Sequence, residues 1–267
     1  MLRKRIITAL GGILLVGAAI WFDGPIPWFT VFTAVWGLLA IIEFYKIVTV
    51  SKVLPLTLFG IIWTLLFIVH PHFNYEFIIP VLLTSAVVFS LILLLLYPEQ
   101  EGIFNNWAWA IAGIFYVGLL LSYLVALRLD AGRNWVFLAL LVTFGSDSAA
   151  FFFGRALGRH HMAPRISPAK TWEGAAAGLI GAIIISLLFT LPTPLQLPLS
   201  YGQAILLGIL VSIFGQLGDL VESLLKRSTG IKESGKLIPG HGGLLDRMDS
   251  VVFAGAVVYF FYIFAII

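Results

Sequence analysis

The amino-acid sequence predicts an all-α integral membrane protein of about nine transmembrane helices, with its N-terminus in the cytoplasm and its C-terminus outside. Three observations carry this prediction. Of 267 residues, 60% are hydrophobic and 11% are charged, whereas a soluble domain carries about 25% charged residues. A chain this apolar would expose more greasy surface than water tolerates. Nine apolar stretches approach the roughly 20 residues that cross a hydrocarbon core, and the basic residues between them fall on alternate sides.

The stretches run 6–22, 28–47, 54–70, 77–97, 107–127, 135–154, 172–191, 204–225 and 251–267. The first follows the basic start Arg3-Lys4-Arg5. It reads as an uncleaved span rather than a signal peptide, because no small-x-small cleavage site precedes Asp23-Gly24-Pro25. The breaks are rich in turn formers, as in Asp23-Gly24-Pro25-Ile26-Pro27, His70-Pro71-His72 and Pro192-Thr193-Pro194. Trp28, Trp107, Trp109, Trp135 and Trp172 stand at span ends, where an aromatic belt belongs. Alternating the spans from a cytoplasmic N-terminus puts fourteen of the 16 basic residues inside, leaving Arg128 and Arg133 outside, which is the expected asymmetry. The chain divides into a scaffold of five spans, 1–130, with possible lipid access, and a catalytic part, 131–267, with two cytoplasmic loops. It has no cysteine, which excludes disulfides and thiolate sites. It shows no internal repeat and no sizeable soluble domain.

Acids inside spans are costly and mark function. Asp147 lies in the sixth stretch, and Asp219 and Glu222 lie in the eighth. At 1.5 Å per residue, Asp147 is about 18 Å and Asp219 about 22 Å from the outer ends of their helices, a similar depth in the cytoplasmic half. Glu222 shares a face with Asp219 and makes an ordinary i,i+4 pair with Lys226. Glu43, near the inner end of the second stretch, reads as structural. Gly215 and Gly218 are expected to clear space beside Asp219 for a hard cation and a phosphate.

Two cytoplasmic loops, about 155–171 and 226–250, carry most of the remaining polar chemistry. In the first, Ser167-Pro168 reads as a helix start with Ser167 as N-cap, placing Lys170 and Thr171 in the first turn. That would make an anion site from free N–H groups, a cation and a hydroxyl. Arg155, Arg159 and Arg165 also serve membrane orientation. Gly174, Gly178 and Gly181 read as a helix-packing face. In the second loop, Lys226, Arg227, Lys232, Lys236 and Arg247 alternate with Glu233, Asp246 and Asp249 around a glycine-rich run at 240–243. Cations for phosphate oxygens and carboxylates for a divalent metal are the combination that holds a polyphosphate. Gly230 to Leu237 nearly spells a P-loop, but it lacks the closing Ser or Thr and follows a helix. His241 reads as a donor to phosphate, since a phosphate-monoester nucleophile is already largely ionised at neutral pH.

Ser223-x-x-Lys226-Arg227-x4-Lys232-Glu233-Ser234-Gly235, followed by Pro239-Gly240-His241-Gly242-Gly243-x-x-Asp246-Arg247-x-Asp249, resembles the signature of the phosphatidate cytidylyltransferase (CDP-diacylglycerol synthase) family. Ile166-Ser167-Pro168-x-Lys170-Thr171-x-Glu173-Gly174 is similar to that family's second motif, as is Asp147 with Gly154-Arg155 and Gly158-Arg159 after it. The resemblance covers about 145–250. Two positions depart from it: Glu233 stands where Asp is usual, and Ala169 stands where a basic residue is usual. The resemblance implies attack of a phosphatidic acid phosphate on the α-phosphorus of CTP, giving CDP-diacylglycerol and pyrophosphate. It implies a divalent metal, normally Mg²⁺, and allows K⁺ beside it. Metal-binding acids map to Asp219 and Asp246, with Asp147, Glu222 and Asp249 as further candidates. Asp219, Asp246, Lys226 and Lys170 are the expected catalytic residues. The expected substrate contacts are Ser167, Thr171, Arg227, Lys232, Lys236, His241, Gly242, Gly243, Arg247 and Arg155. The expected partners are CTP, phosphatidic acid, the bilayer and a second copy of the chain, with no nucleic acid. The expected location is a bacterial cell (inner) membrane, with the site facing the cytoplasm.

The alternatives are a CTP-dependent polyprenol or lipid kinase of related architecture and a non-enzymatic lipid transporter. A transporter is disfavoured by the missing repeat. A CDP-alcohol phosphotransferase is disfavoured because Asp23-Gly24 is followed by Pro25-Ile26 rather than by that family's motif.

Overall fold

A computed structural model describes residues 2–22, 24–48, 50–73, 75–96, 101–235, 237 and 242–266, with side chains from Leu10 onward except Ser51. These residues are mostly helical. The helices are α1 (Leu2–Trp21), α2 (Trp28–Ile47), α3 (Leu54–Val69), α4 (Ile78–Leu95), α5 (Ile103–Gly113), α6 (Leu120–Asp130), α7 (Arg133–Leu157), α8 (Trp172–Leu188), α9 (Tyr201–Ser228) and α10 (Asp249–Ala265). A π-helical stretch, Ile114–Leu119, joins α5 to α6, so the two make one apolar rod from Ile103 to Asp130.

Among the described residues, six helical segments are long and apolar enough to cross a membrane: Trp28–Ile47, Leu54–His72, Ile78–Leu95, Ile103–Asp130, Arg133–Leu157 and Tyr201–Ser228. The apolar helices Leu10–Trp21, Trp172–Leu188 and Asp249–Ala265 are shorter. Seventeen residues rise only about 25 Å, against a core of about 30 Å.

The chain forms two compact units. Unit 1 comprises 1–129 together with Glu233–Asp246. Its core includes Phe59, Phe67, Leu82 and Ile114, bordered by Trp63 and Phe115. Tyr45 is fully buried there, and its hydroxyl donates to the Ala110 carbonyl at 2.8 Å. Unit 2 comprises 130–232 and 247–267. Here α8 lies flat against α7. A Cβ at Gly178 would stand 3.0 Å from the Ser146 carbonyl, and one at Gly181 would stand 2.9 Å from the Ala149 Cβ. The glycine face on α8 is therefore a packing face, as its spacing suggests. A Ser146–Ser212 hydroxyl contact of 2.9 Å ties α7 to α9.

One local expectation is overturned. Ser167 is not an N-cap, Pro168 is not at a first helical position, and Lys170 and Thr171 are not in a first turn. Instead Ser167–Thr171 is a strand, β2, paired antiparallel with β1 (His161–Ala163). The pairing satisfies backbone groups that a helix would have used, and Pro168 is tolerated because this two-stranded ribbon has only edge strands. The helix begins one residue after the strand. Thr171 is its N-cap, with Oγ1 accepting from the Gly174 N–H at 3.2 Å. Thr171→Ala is expected to cost about 1 kcal/mol, read as a lower apparent melting temperature of the purified protein. An unchanged melting temperature would remove Thr171 from the cap.

Candidate functional site

In unit 2 three helices each bring one carboxylate to the same region. Asp147 comes from the middle of α7, Asp219 from the C-terminal half of α9 and Asp249 from the first residue of α10. Each lies within the electrostatic field of the other two. All three are half-buried. β2 delivers the counter-charge: Lys170 Nζ lies 2.7 Å from Asp219 Oδ2, both side chains only partly exposed. The other oxygen, Asp219 Oδ1, accepts from the Ser223 hydroxyl at 3.3 Å. Ser250 hydrogen-bonds Asp147, and its N–H donates to Asp249 Oδ1 at 2.8 Å. Lys226 attracts Asp249 and pairs with the fully buried Glu222 at 3.0 Å.

The reason these acids meet is helix packing. Gly215 and Gly218 do not clear open space beside Asp219, contrary to the sequence expectation. A Cβ at Gly218 would overlap the Asp249 carbonyl oxygen and stand 2.8 Å from Phe253 Cδ2. The absent side chain lets α10 approach α9, and that approach brings Asp249 to Asp219. On the other side, Gln216 Nε2 donates to the Ala175 carbonyl at 3.3 Å and to Ser212 Oγ at 2.9 Å, joining α9 to α8.

Unit 2 also carries exposed cations. Arg155 stands in the last turn of α7. It, Arg159, Lys232 and Arg247 are exposed. Arg227 is exposed too, and its Nε donates to the Ile166 carbonyl of the hairpin turn at 3.2 Å. Glu173 organises the loop before β1. Its Oε1 lies 2.6 Å from His160 Nδ1, and its Oε2 accepts from the N–H groups of Arg159 and His160 at 3.2 and 3.3 Å. Sequence reasoning quoted Glu173 only as part of a motif. Its position two residues after the N-cap Thr171 was the available signal, since an acid suits a helix N-terminus. Ser167 is half-buried on β2, and Thr171 is committed to its cap.

Unit 1 holds the remaining candidates. Asp246 Oδ2 accepts from two backbone N–H groups of its own loop, Ser234 at 3.0 Å and Gly243 at 2.9 Å. Gly242 has φ +87°, a conformation that favours glycine, and it turns the chain back toward Asp246. Lys236, Pro239, Gly240 and His241 lie outside the described residues.

The donor set of unit 2 fits a hard divalent cation. Three carboxylates supply oxygen ligands, and Lys170 and Lys226 offset only part of their charge. Among the described residues no three acids or histidines form a ready-made metal cage. Mg²⁺ does not require one, because it binds through one or two carboxylates, substrate phosphates and waters.

A family model described as the cytidylyltransferase family matches residues 3–265. The chain is 33% identical over 265 residues to a phosphatidate cytidylyltransferase of Bacillus subtilis, covering 97% of each protein. It is 36% identical over 220 residues to one from Staphylococcus haemolyticus, covering 81% of this chain and 84% of that protein. It is 35% identical to the chloroplastic phosphatidate cytidylyltransferase 5 of Arabidopsis thaliana, covering 97% of this chain and 71% of that one. A match across nearly the whole chain, over helices and polar loops alike, shows that this protein belongs to the cytidylyltransferase family.

Proposed function

We propose that the chain is a phosphatidate cytidylyltransferase, converting CTP and phosphatidic acid to CDP-diacylglycerol and pyrophosphate. The observation that carries this reading is the set Asp147, Asp219 and Asp249 with Lys170 at 2.7 Å from Asp219. It is a site for phosphate and a divalent metal on helices of a family that transfers cytidylyl groups. In the reaction an oxygen of the lipid phosphate forms a bond to the α-phosphorus of CTP. The bond from that phosphorus to the bridging oxygen breaks, and its electron pair leaves with pyrophosphate. Asp219, with Asp147 and Asp249 beside it, would hold Mg²⁺, and Asp246 from the second loop is the other acid we assign to metal. The bound metal would neutralise charge on the phosphates. Lys170, 2.7 Å away, orients Asp219. Arg155, Arg227, Lys232 and Arg247 are the cations we assign to phosphate oxygens, as bidentate or point-charge donors. No general base is needed, because the lipid phosphate arrives ionised.

The apolar lengths and the fourteen-to-two split of basic residues support about nine spans. In this reading the three shorter apolar helices count with the six long ones. The N-terminus and the catalytic loops then face the cytoplasm of a cell (inner) membrane, where CTP is available. A homodimer and K⁺ as a second ion complete the proposal.

Purified protein with labelled CTP, phosphatidic acid and Mg²⁺ is expected to form a CDP-lipid and pyrophosphate, and to stop on addition of EDTA. Phosphorylation of a polyprenol with no CDP-lipid would overturn the reading in favour of a lipid kinase.

A further inference from the structure

Glu43, on α2, is almost fully buried at 3% exposure. Its partners come from a segment some two hundred residues later in the chain. Oε2 accepts from the Ser234 hydroxyl at 3.1 Å and from the Leu245 N–H at 2.9 Å. The two contacts grip the loop at both ends, since Ser234 and Leu245 flank the glycine-rich run. The loop's glycines are fitted to this carboxylate. A Cβ at Gly235 would overlap Glu43 Oε1, and a Cβ at Gly243 would stand 2.6 Å from Glu43 Oε2. Ser234 and Gly243 are also the residues whose N–H groups hold Asp246 Oδ2. One buried carboxylate therefore fixes the segment that in turn fixes another.

Burying a carboxyl group is expensive unless it is hydrogen-bonded, and here Oε2 takes both bonds while Oε1 has no hydrogen-bond partner among the described residues. A neutral glutamine would fit the same space at a lower cost. What a carboxylate adds over an amide is acceptor strength: charge-assisted hydrogen bonds are about twice as strong as neutral ones. That strength suits Gly235 and Gly243, which lie against this carboxylate and would otherwise leave the backbone there many conformations.

We propose that Glu43 is a positioning residue of the reaction, holding Ser234, Gly243 and Leu245 in place and acting through Asp246. The proposal rests on the reading of Asp246 as a metal-binding acid. It assigns to the scaffold helices a direct role in arranging the chemistry.

The test is E43Q in the full-length protein, compared with wild type in turnover, Mg²⁺ dependence, tryptic cleavage between Lys232 and Arg247, and melting temperature. E43Q is expected to lower kcat roughly 10- to 100-fold, as loss of a residue supporting a metal ligand does. It should also raise the Mg²⁺ concentration for half-maximal rate and speed tryptic cleavage within the loop, with no comparable change in melting temperature. Wild-type kcat, Mg²⁺ dependence and loop protection in E43Q would overturn the proposal. So would a lowered melting temperature with catalysis and protection unchanged, which is the mark of a merely structural acid. If E43Q does not insert, S234A removes one of the two bonds from the loop side and is read in the same way. Should wild type form no CDP-lipid, the function reading fails by itself, and tryptic protection alone then decides whether Glu43 anchors the loop.

Discussion

Asp219→Asn is expected to lower CDP-lipid formation on the order of 1,000-fold while the protein still inserts and folds. The fold should survive because the substitution keeps shape and hydrogen bonding. An amide oxygen can still accept from Ser223, as Asp219 Oδ1 does at 3.3 Å. Lys170 loses its 2.7 Å partner but keeps the attraction of Asp147. What disappears is one negative charge at the centre of the three carboxylates, and a hard cation depends on that charge. The measurement is turnover of labelled CTP at several Mg²⁺ concentrations, on a variant whose melting temperature matches wild type. Robust turnover by the folded variant would remove Asp219 from metal binding.

The helices were legible because a membrane imposes a simple rule. Every backbone group must be satisfied within the segment, so an apolar run of sufficient length has to be helical. The stretch 28–47 matches α2 residue for residue, and 172–191 begins where α8 begins. The rod from Ile103 to Asp130 extends beyond the stretch 107–127 at both ends, past Trp107, which stands inside the helix rather than at its boundary. Outside the apolar runs the rule gives no guidance. Ser167-Pro168 has the chemistry of a helix start, and nothing local discloses that His161–Ala163 pairs with it as a strand.

The site was legible in residue types and less so in arrangement. Equal depth along two helices pointed to Asp147 and Asp219, and both lie in one electrostatic cluster. Asp249 was a secondary candidate because it sits at a helix start, where an acid is ordinary. Only the packing of α10 on α9 raises its standing. Glu43 reads as structural in sequence, an acid neutralised by a neighbour. Its hydrogen bonds to Ser234 and Leu245 span separations of 191 and 202 residues, and no local pattern reports a contact of that range. The second loop is one continuous polar run in sequence, yet Glu233–Asp246 packs within unit 1 while Lys226, Arg227 and Asp249 belong to unit 2. Sequence continuity concealed that division.

Gly218→Ala is expected to damage both stability and catalysis, and Gly215→Ala to do neither. The two glycines are one helical turn apart on α9 and look alike in sequence. Their surroundings differ. At Gly215 the nearest atom to an added Cβ is Ser250 Cβ at 3.7 Å, an ordinary contact. At Gly218 the methyl would overlap the Asp249 carbonyl and crowd Phe253. A backbone oxygen in the first turn of α10 cannot swing aside as a side chain would, so the two helices must part. Forcing a methyl into a closed contact costs roughly 1–3 kcal/mol. The displaced residue is Asp249, so its carboxylate moves relative to Asp219. A shift near 1 Å at reacting groups can reduce turnover on the order of 100-fold. The check is melting temperature and CTP turnover for both variants, prepared side by side. Equal losses would mean that any methyl on this face of α9 is harmful, and the specific approach of α10 would not be what sets the acids. Loss confined to Gly218→Ala would make the missing side chain at that position the feature that brings Asp249 to Asp219 and Asp147.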